Sequence, residues 1–414
     1  MKTAIFIILL SVFCGSAFGE ELAGKVMCGY QGWFRTPEDG TGTGWHHYSG
    51  KKGLEPGSCS IDLWPDVREL PAAARVTTGF HHPDGSVAEV FSSVNPAAVK
   101  LHFQWMRDYG IDGVFLQRFA ATTRDARFRK PMDAVMEECR AAAKDTGRVW
   151  ALMYDLSGIK PGETSAVIAD WKRLDEQLHL RDAAANPAYL RHHGKPLVAL
   201  WGIGFNDRVP MLDEWAELIR FFKDDATFGG CAVMLGAPAF WRTLERDAIS
   251  DPALLPLLAS ADVLSPWTVG RYHSPESAAS FIKKTVLADI AWCREHKVDY
   301  LPVSFPGFSW HNLSEGRGKA APVDAIPRLG GRFLWSQLRG YQAAGAQMLY
   351  VAMFDELDEG TAIFKCRSDP PTEKNQFVSE LGVPNDQYLW LAGQAAQLLR
   401  GKLKAETDEL PPRK

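Results

Sequence analysis

The chain has 414 residues, 46% of them hydrophobic and 11% aromatic, with 46 Lys and Arg against 50 Asp and Glu. That is enough for one large core, and α/β barrels reach this size as single domains. The net charge of -4 is spread along the sequence with no basic stripe, which argues against a nucleic-acid or membrane-surface partner.

The N-terminus has the pattern of a secretory signal. Lys2 gives a positive start, Ala4 to Phe13 an apolar run, and Ala17-Phe18-Gly19 a small-x-small cleavage site. Residues 1–19 are therefore expected to be removed, leaving a mature chain that begins at Glu20 and is secreted or periplasmic. Cys14 raises a lipid anchor, but the bulky Phe13 before it argues the other way. Six further cysteines, at 28, 59, 139, 231, 293 and 366, are scattered without a C-x-x-C pair. A zinc cluster is not indicated. Cys28 with Cys59 is the one disulfide considered, beside buried free thiols.

Val26 to Phe34 reads as a strand with a Gly-rich aromatic end, Gly29-Tyr30-Gln31-Gly32-Trp33-Phe34. A long loop follows through Trp45-His46-His47-Tyr48 to Leu63-Trp64-Pro65-Asp66. Asn95-Pro96 opens a helix that Gly110 ends. Asp112–Phe119 is the second strand, Met132–Thr146 a helix and Val149–Asp155 the third strand. Ser165–His179 is a helix, Pro196–Gly202 the fourth strand, and Asp213–Phe222 a helix. Gly230–Gly236 and Asp262–Trp267 are the fifth and sixth strands, joined by a weak helical pattern. Pro275–His296 is a long helix, Tyr300–Pro306 the seventh strand and Gly331–Ala344 a helix. The eighth strand starts at Leu349, and Pro384–Leu403 closes the chain. Residues 404–414 form a charged tail, expected to fray.

Continuous apolar strands alternating with helices predict a parallel sheet buried on both faces. Eight such units predict a (β/α)8 barrel spanning residues 20–403 as one domain. A doubly wound open sheet would need a phosphate-binding turn after its first strand, which Gly29-Tyr30-Gln31-Gly32 matches poorly.

In such a barrel the active face lies at the C-terminal strand ends. Those ends carry Tyr30, Gln31 and Trp33; Gln117 and Arg118; Tyr154 and Asp155; Trp201; Trp267, Arg271 and Tyr272; and Trp310, His311 and Asn312. The eighth strand ends in Asp355, Glu356, Asp358 and Glu359. Flat aromatic faces, amides, arginines and a carboxyl pair are the residue types a carbohydrate site uses. Like charges so close raise at least one pKa, leaving an acid beside a carboxylate, the usual equipment for breaking a glycosidic bond. A solvated acidic turn is the simpler reading of the same residues. His46 in the overhanging loop is expected to contact substrate. The doublets His46-His47, His81-His82 and His192-His193 lack the spacing of a metal motif, so no metal and no cofactor is expected. Arg191-His192-His193-Gly194-Lys195-Pro196 reads as a structural turn at the opposite barrel end.

The run Phe354-Asp355-Glu356-Leu357-Asp358-Glu359-Gly360-Thr361 resembles the eighth-strand motif of glycoside hydrolase families 99 and 71, close to Phe-Asn-Glu-Trp-x-Glu-Gly-Thr. Gly29 to Phe34, Leu63 to Asp66 and Asp112-Gly113-Val114 look like the same group. The resemblance implies a (β/α)8 barrel that hydrolyses α-linked glycans such as α-mannosides or α-glucans. It implies that Glu356 acts as base on the sugar's own 2-hydroxyl, giving a 1,2-anhydro intermediate, and that Glu359 is the general acid and then the base for water. Asp355 stands where the family has Asn and Leu357 where it has Trp, which puts the substrate in doubt. The alternatives are a catalytically weak carbohydrate-binding barrel and a metal-dependent hydrolase on the same fold. An oligo- or polysaccharide partner and a monomer are expected.

Overall fold

The computed structural model describes residues 20–49 and 53–413. The expected signal, with Cys14, lies outside the described residues. Eight parallel strands form the barrel: β1 (Val26–Tyr30), β2 (Gly113–Phe119), β3 (Val149–Asp155), β4 (Lys195–Trp201), β5 (Ala232–Pro238), β6 (Val263–Trp267), β7 and β8 (Leu349–Val351). β7 is split into Asp299–Tyr300, which pairs with β6, and Val303–Ser304, which pairs with β8. Each half bonds a different neighbour, and so the ring closes. Pro302 lies between the halves and has no N–H to give a ladder.

The helices between strands are α1 (Pro96–Tyr109), α2 (Ala126–Thr146), α3 (Ser165–Leu178), α4 (Leu212–Asp224), α5 (Leu254–Ala259), α6 (Pro275–Phe281), α7 (Arg332–Ala343) and α8 (Gln387–Leu399). The Asn95 side chain accepts the Ala97 N–H at the start of α1, and Gly110 ends it in the left-handed region at φ 82°. α2 begins well before the expected Met132. Asp125 caps it, and Pro131 is tolerated inside it. α6 runs on through a π-helical turn, Ile282–Val286, into a helix over Leu287–His296, so the expected long helix is continuous but not uniform.

The β1-to-α1 connection is more than a loop. It holds an antiparallel hairpin, Val76–His81 with Val87–Val90, whose register shifts between Thr77 and His81. That irregularity breaks the two-residue alternation by which a strand is recognised. The connection joins the segment after β8: Asp66 N–H donates to Lys365 O at 2.9 Å and Val378 N–H to Asp62 O at 2.8 Å. Together they wall the C-terminal mouth.

Two expectations change here. Cys28 and Cys59 are free, buried thiols and do not pair. Cys28 lies on β1 while the Cys59 thiol donates to Ile61 O in the wall. The charged tail is tied to the barrel by two ion pairs: Asp408 pairs with Arg339 at 2.5 Å and Arg413 pairs with Asp386. Among the described residues no helix is long and apolar enough to cross a membrane.

Candidate active site

β8 is short because the chain leaves the sheet to build the acidic loop. Phe354 N–H donates to Gly29 O at 2.7 Å, and Ala362 N–H donates to Glu356 O at 2.9 Å, closing the loop on itself beside β1. This places Asp355 against the end of β1. Gln31 and Gly32 donate their backbone N–H groups to its two carboxylate oxygens at 2.7 and 2.8 Å. Glu356 is held at both oxygens, by Gln31 Nε2 at 2.7 Å and by the Thr361 hydroxyl at 2.6 Å. Glu359 is half-buried, and among the described residues no donor is aimed at its carboxyl.

Burial dominates the titration of this cluster. It pushes Asp355 up to about 7, against the pull of its two backbone donors. It pushes Glu356 well above the usual carboxylate range, with Glu359 and Asp358 adding like charge. Glu359 is pushed up to about 7 by burial and then by Asp358, with Arg317 opposing. Glu356 and Glu359 titrate together, so near neutral pH the first to ionise holds the proton on the second.

An aromatic floor lies beside the acids. The Trp33 ring stacks on His47 with centroids 3.7 Å apart and on Phe119 at 5.3 Å. His47 Nδ1 in turn meets Asp358 Oδ2 at 2.8 Å. His46 Nδ1 lies 3.1 Å from Trp33 O, and burial with the neighbouring His47 lowers its pKa to about 4, so it is neutral. Trp33, His46, His47 and Phe119 line a cavity of about 360 Å³ together with Gln31, Phe128, Met132 and Ser157, and Gln31 and His47 link it to Glu356 and Asp358. Five buried polar atoms around the mouth have no protein partner: Gln31 Oε1, Trp33 Nε1, Gln117 Oε1, Trp201 Nε1 and Asp358 Oδ1. Unpaired buried polar atoms are costly, and a ligand rich in hydroxyls would satisfy them.

The strand ends chosen from sequence divide by register. Gln117 pairs with Met153, and Phe119 with Asp155, which pairs with Trp201. These face the barrel interior, where Trp201 meets Trp267 edge-on at 5.3 Å. Burial raises the Asp155 carboxyl above the usual range, opposed by the Ser157 N–H. Trp310 follows Ser309, whose N–H donates to Glu359 O at 3.0 Å, and it is 40% exposed at the rim.

The alternate positions face the helices, and for Tyr30, Arg118, Tyr154 and Tyr272 the expectation of substrate contact is corrected. The Tyr30 hydroxyl lies 2.8 Å from Nδ1 of His102 on α1. Arg118 is buried in a salt-bridge cluster with Asp170 and Asp133, and Tyr154 donates to the same Asp170 at 3.0 Å. Tyr272 is enclosed by Gln337 and Tyr341. Arg271 braces Asp247 at 2.7 Å, a rim contact within the protein. Asn312 is spent on Ile61 O and Gln376 O, and the His311 backbone N–H on Asp62, so both anchor the wall. His47, Thr361 and Arg317 act on the acids without having been chosen as site residues. The alternation of inward and outward side chains would have separated Gln31 from Tyr30; nothing local would have paired His47 with Asp358.

The fold is shared with a solved glycoside hydrolase. The chain folds as a GH99-like (β/α)8 barrel. It is similar to the GH99 endo-alpha-mannosidase from Bacteroides thetaiotaomicron with a TM-score of 0.64 at 14% identity, over 92% of this chain and 99% of that one. A second structure of that GH99 endo-alpha-mannosidase, in complex with BIS-TRIS-propane, gives a TM-score of 0.62 at 14% identity, over 92% and 98%. No protein-family profile matches the chain, and no curated protein matches it by sequence. The likeness is one of shape, and the wall segments 31–49, 53–95 and 360–386 lie on the same side of the barrel as the acids.

Proposed function

We propose that this protein is a glycoside hydrolase that cleaves an α-linked glycan of mannoside or glucan type, with Glu356 and Glu359 as its carboxyl pair. The observation that carries the reading is that pair: two carboxyl groups at the end of β8, both raised by burial and neighbouring acids, beside an aromatic floor and unpaired polar atoms. The GH99-like barrel supports the same reaction class. The pattern of residues 1–19 places the enzyme outside the cytoplasm in this proposal.

The residues suggest how the roles divide. Glu359 is the less enclosed acid and, in the role the resemblance gives it, donates its proton to the glycosidic oxygen as the C–O bond breaks. Glu356, oriented by Gln31 and Thr361, takes the proton of the attacking hydroxyl. That hydroxyl is the sugar's own 2-hydroxyl if the resemblance holds. Water then attacks the anomeric carbon: Glu359, now ionised, takes the water's proton, and Glu356 returns its proton to the sugar oxygen as the C–O bond formed in the first step opens, which restores both groups.

The test is turnover of a panel of α-linked oligosaccharides and aryl α-glycosides by wild type, Glu356→Gln and Glu359→Gln. Each variant should lose on the order of 10² to 10⁴ in kcat/KM on any substrate the wild type cleaves. Cleavage that neither substitution slows would remove the pair from the reaction. The pH profile of kcat/KM should be bell-shaped, because the reaction needs one carboxyl of the pair ionised and the other protonated.

A further inference from the structure

We propose that His192, His193 and Asp299 bind one divalent transition-metal ion, zinc foremost, at the N-terminal end of the barrel, where it pins the hairpin entering β4 to the start of β7. The three ligand atoms lie within 4.8 Å of one another. His192 Nε2 is 3.0 Å from Asp299 Oδ2, and His193 Nε2 is 3.1 Å from the same oxygen. Ligand atoms about 2.0 to 2.1 Å from a tetrahedral ion are separated by roughly 3.3 Å, so only a small movement admits one.

The second observation is His192 itself. Its side chain is 1% exposed, yet neither ring nitrogen makes an aligned hydrogen bond. Nε2 is close to the carboxylate but not directed at it. One Asp299 oxygen thus draws both Nε2 atoms together, and an ion there would replace an unaligned contact at the buried His192 with a bond.

The turn is built to hold this geometry. His192 pairs with Lys195 across a two-residue loop, in which His193 has φ 50° and Gly194 φ 76°. Glu21 accepts the backbone N–H groups of both loop residues, at 2.8 and 2.7 Å. His193 and Asp299 are open to solvent, which leaves room for water to complete the coordination. Two imidazoles and one carboxylate suit zinc, cobalt, nickel or copper, whereas calcium and magnesium prefer oxygen ligands. The opposite barrel end carries the acids, so the ion serves the scaffold and not the hydrolysis.

The experiment is calorimetric titration of the full-length, chelator-treated protein with zinc chloride, beside His193→Asn and Asp299→Asn. Asn tolerates the positive φ at 193, and that side chain is exposed, so the first variant keeps the turn. The wild type should bind one equivalent saturably and melt about 2 °C or more higher with excess zinc. Both variants should lose that equivalent and the shift. Cobalt should give d–d absorption bands in the wild type that His193→Asn abolishes. No saturable equivalent, or one that survives both substitutions, would overturn the site. None of these readouts depends on glycoside hydrolysis.

Discussion

At the scale of single residues, the acid cluster trades stability for chemistry. Asp355 and Glu359 have their pKa values raised to about 7, and Glu356 is raised further. A carboxyl whose folded pKa lies above its unfolded value binds more protons when folded. Stability is therefore lost as pH rises from the ordinary carboxylate range, about 4, toward 7. Glu356→Gln removes one of these groups and its charge. Relative to wild type, that variant should become more stable as pH rises from about 5 to about 8, read as a widening gap in melting temperature. A gap that does not change with pH would mean that Glu356 has no raised pKa in the folded state. Arg118 shows the opposite kind of buried charge. It is paired with two aspartates and lies away from the mouth. Arg118→Met should cost about 3 to 5 kcal/mol in denaturant unfolding, because it leaves Asp170 buried and short of a partner. The KM of the folded variant should stay unchanged.

At the scale of elements, close packing is set by a few positions without a side chain. Gly393 in α8 lies against the end of α1, where an added Cβ would sit 1.8 Å from Tyr109 O. That contact is with backbone, so the helices must move apart. Gly393→Ala should therefore destabilise by about 3 kcal/mol in urea unfolding despite alanine's better helix propensity. A neutral or stabilising result would show that α8 can shift freely on α1. Among the elements, β3 was legible to the residue, since its apolar run coincides with its hydrogen-bonded span. The Val76–His81 hairpin was not, because its short strands, register shift and polar turn carry no steady period. The start of α2 was misplaced because Pro131 reads as a first-turn residue, while the cap is at Asp125.

At the scale of the whole molecule, the barrel and its walls enclose most of the described thiols. Among the described residues Cys28, Cys59, Cys139, Cys231 and Cys293 are buried and Cys366 is partly open. Burial raises Cys366 too, up to about 12. A thiol-specific chromogenic reagent should therefore react slowly with the folded mature protein, and rapidly with six thiols after unfolding. A count of four after unfolding would indicate one disulfide and contradict the free thiols. What the sequence alone determined is the order of strands and helices and the delivery of four acids by the eighth strand. Both follow from local patterns: apolar runs, caps, and a motif confined to eight residues. Only the tertiary structure decided which strand-end side chains share the mouth. Gln31 reaches Glu356 across 325 residues of chain, and His47 reaches Asp358 across 311. Strand register turned Gln117 inward and Arg118 outward, although the two are adjacent. A parallel strand buried on both faces is apolar on each, so its composition does not reveal which face is the interior. That is set by ring closure, which brings β8 beside β1.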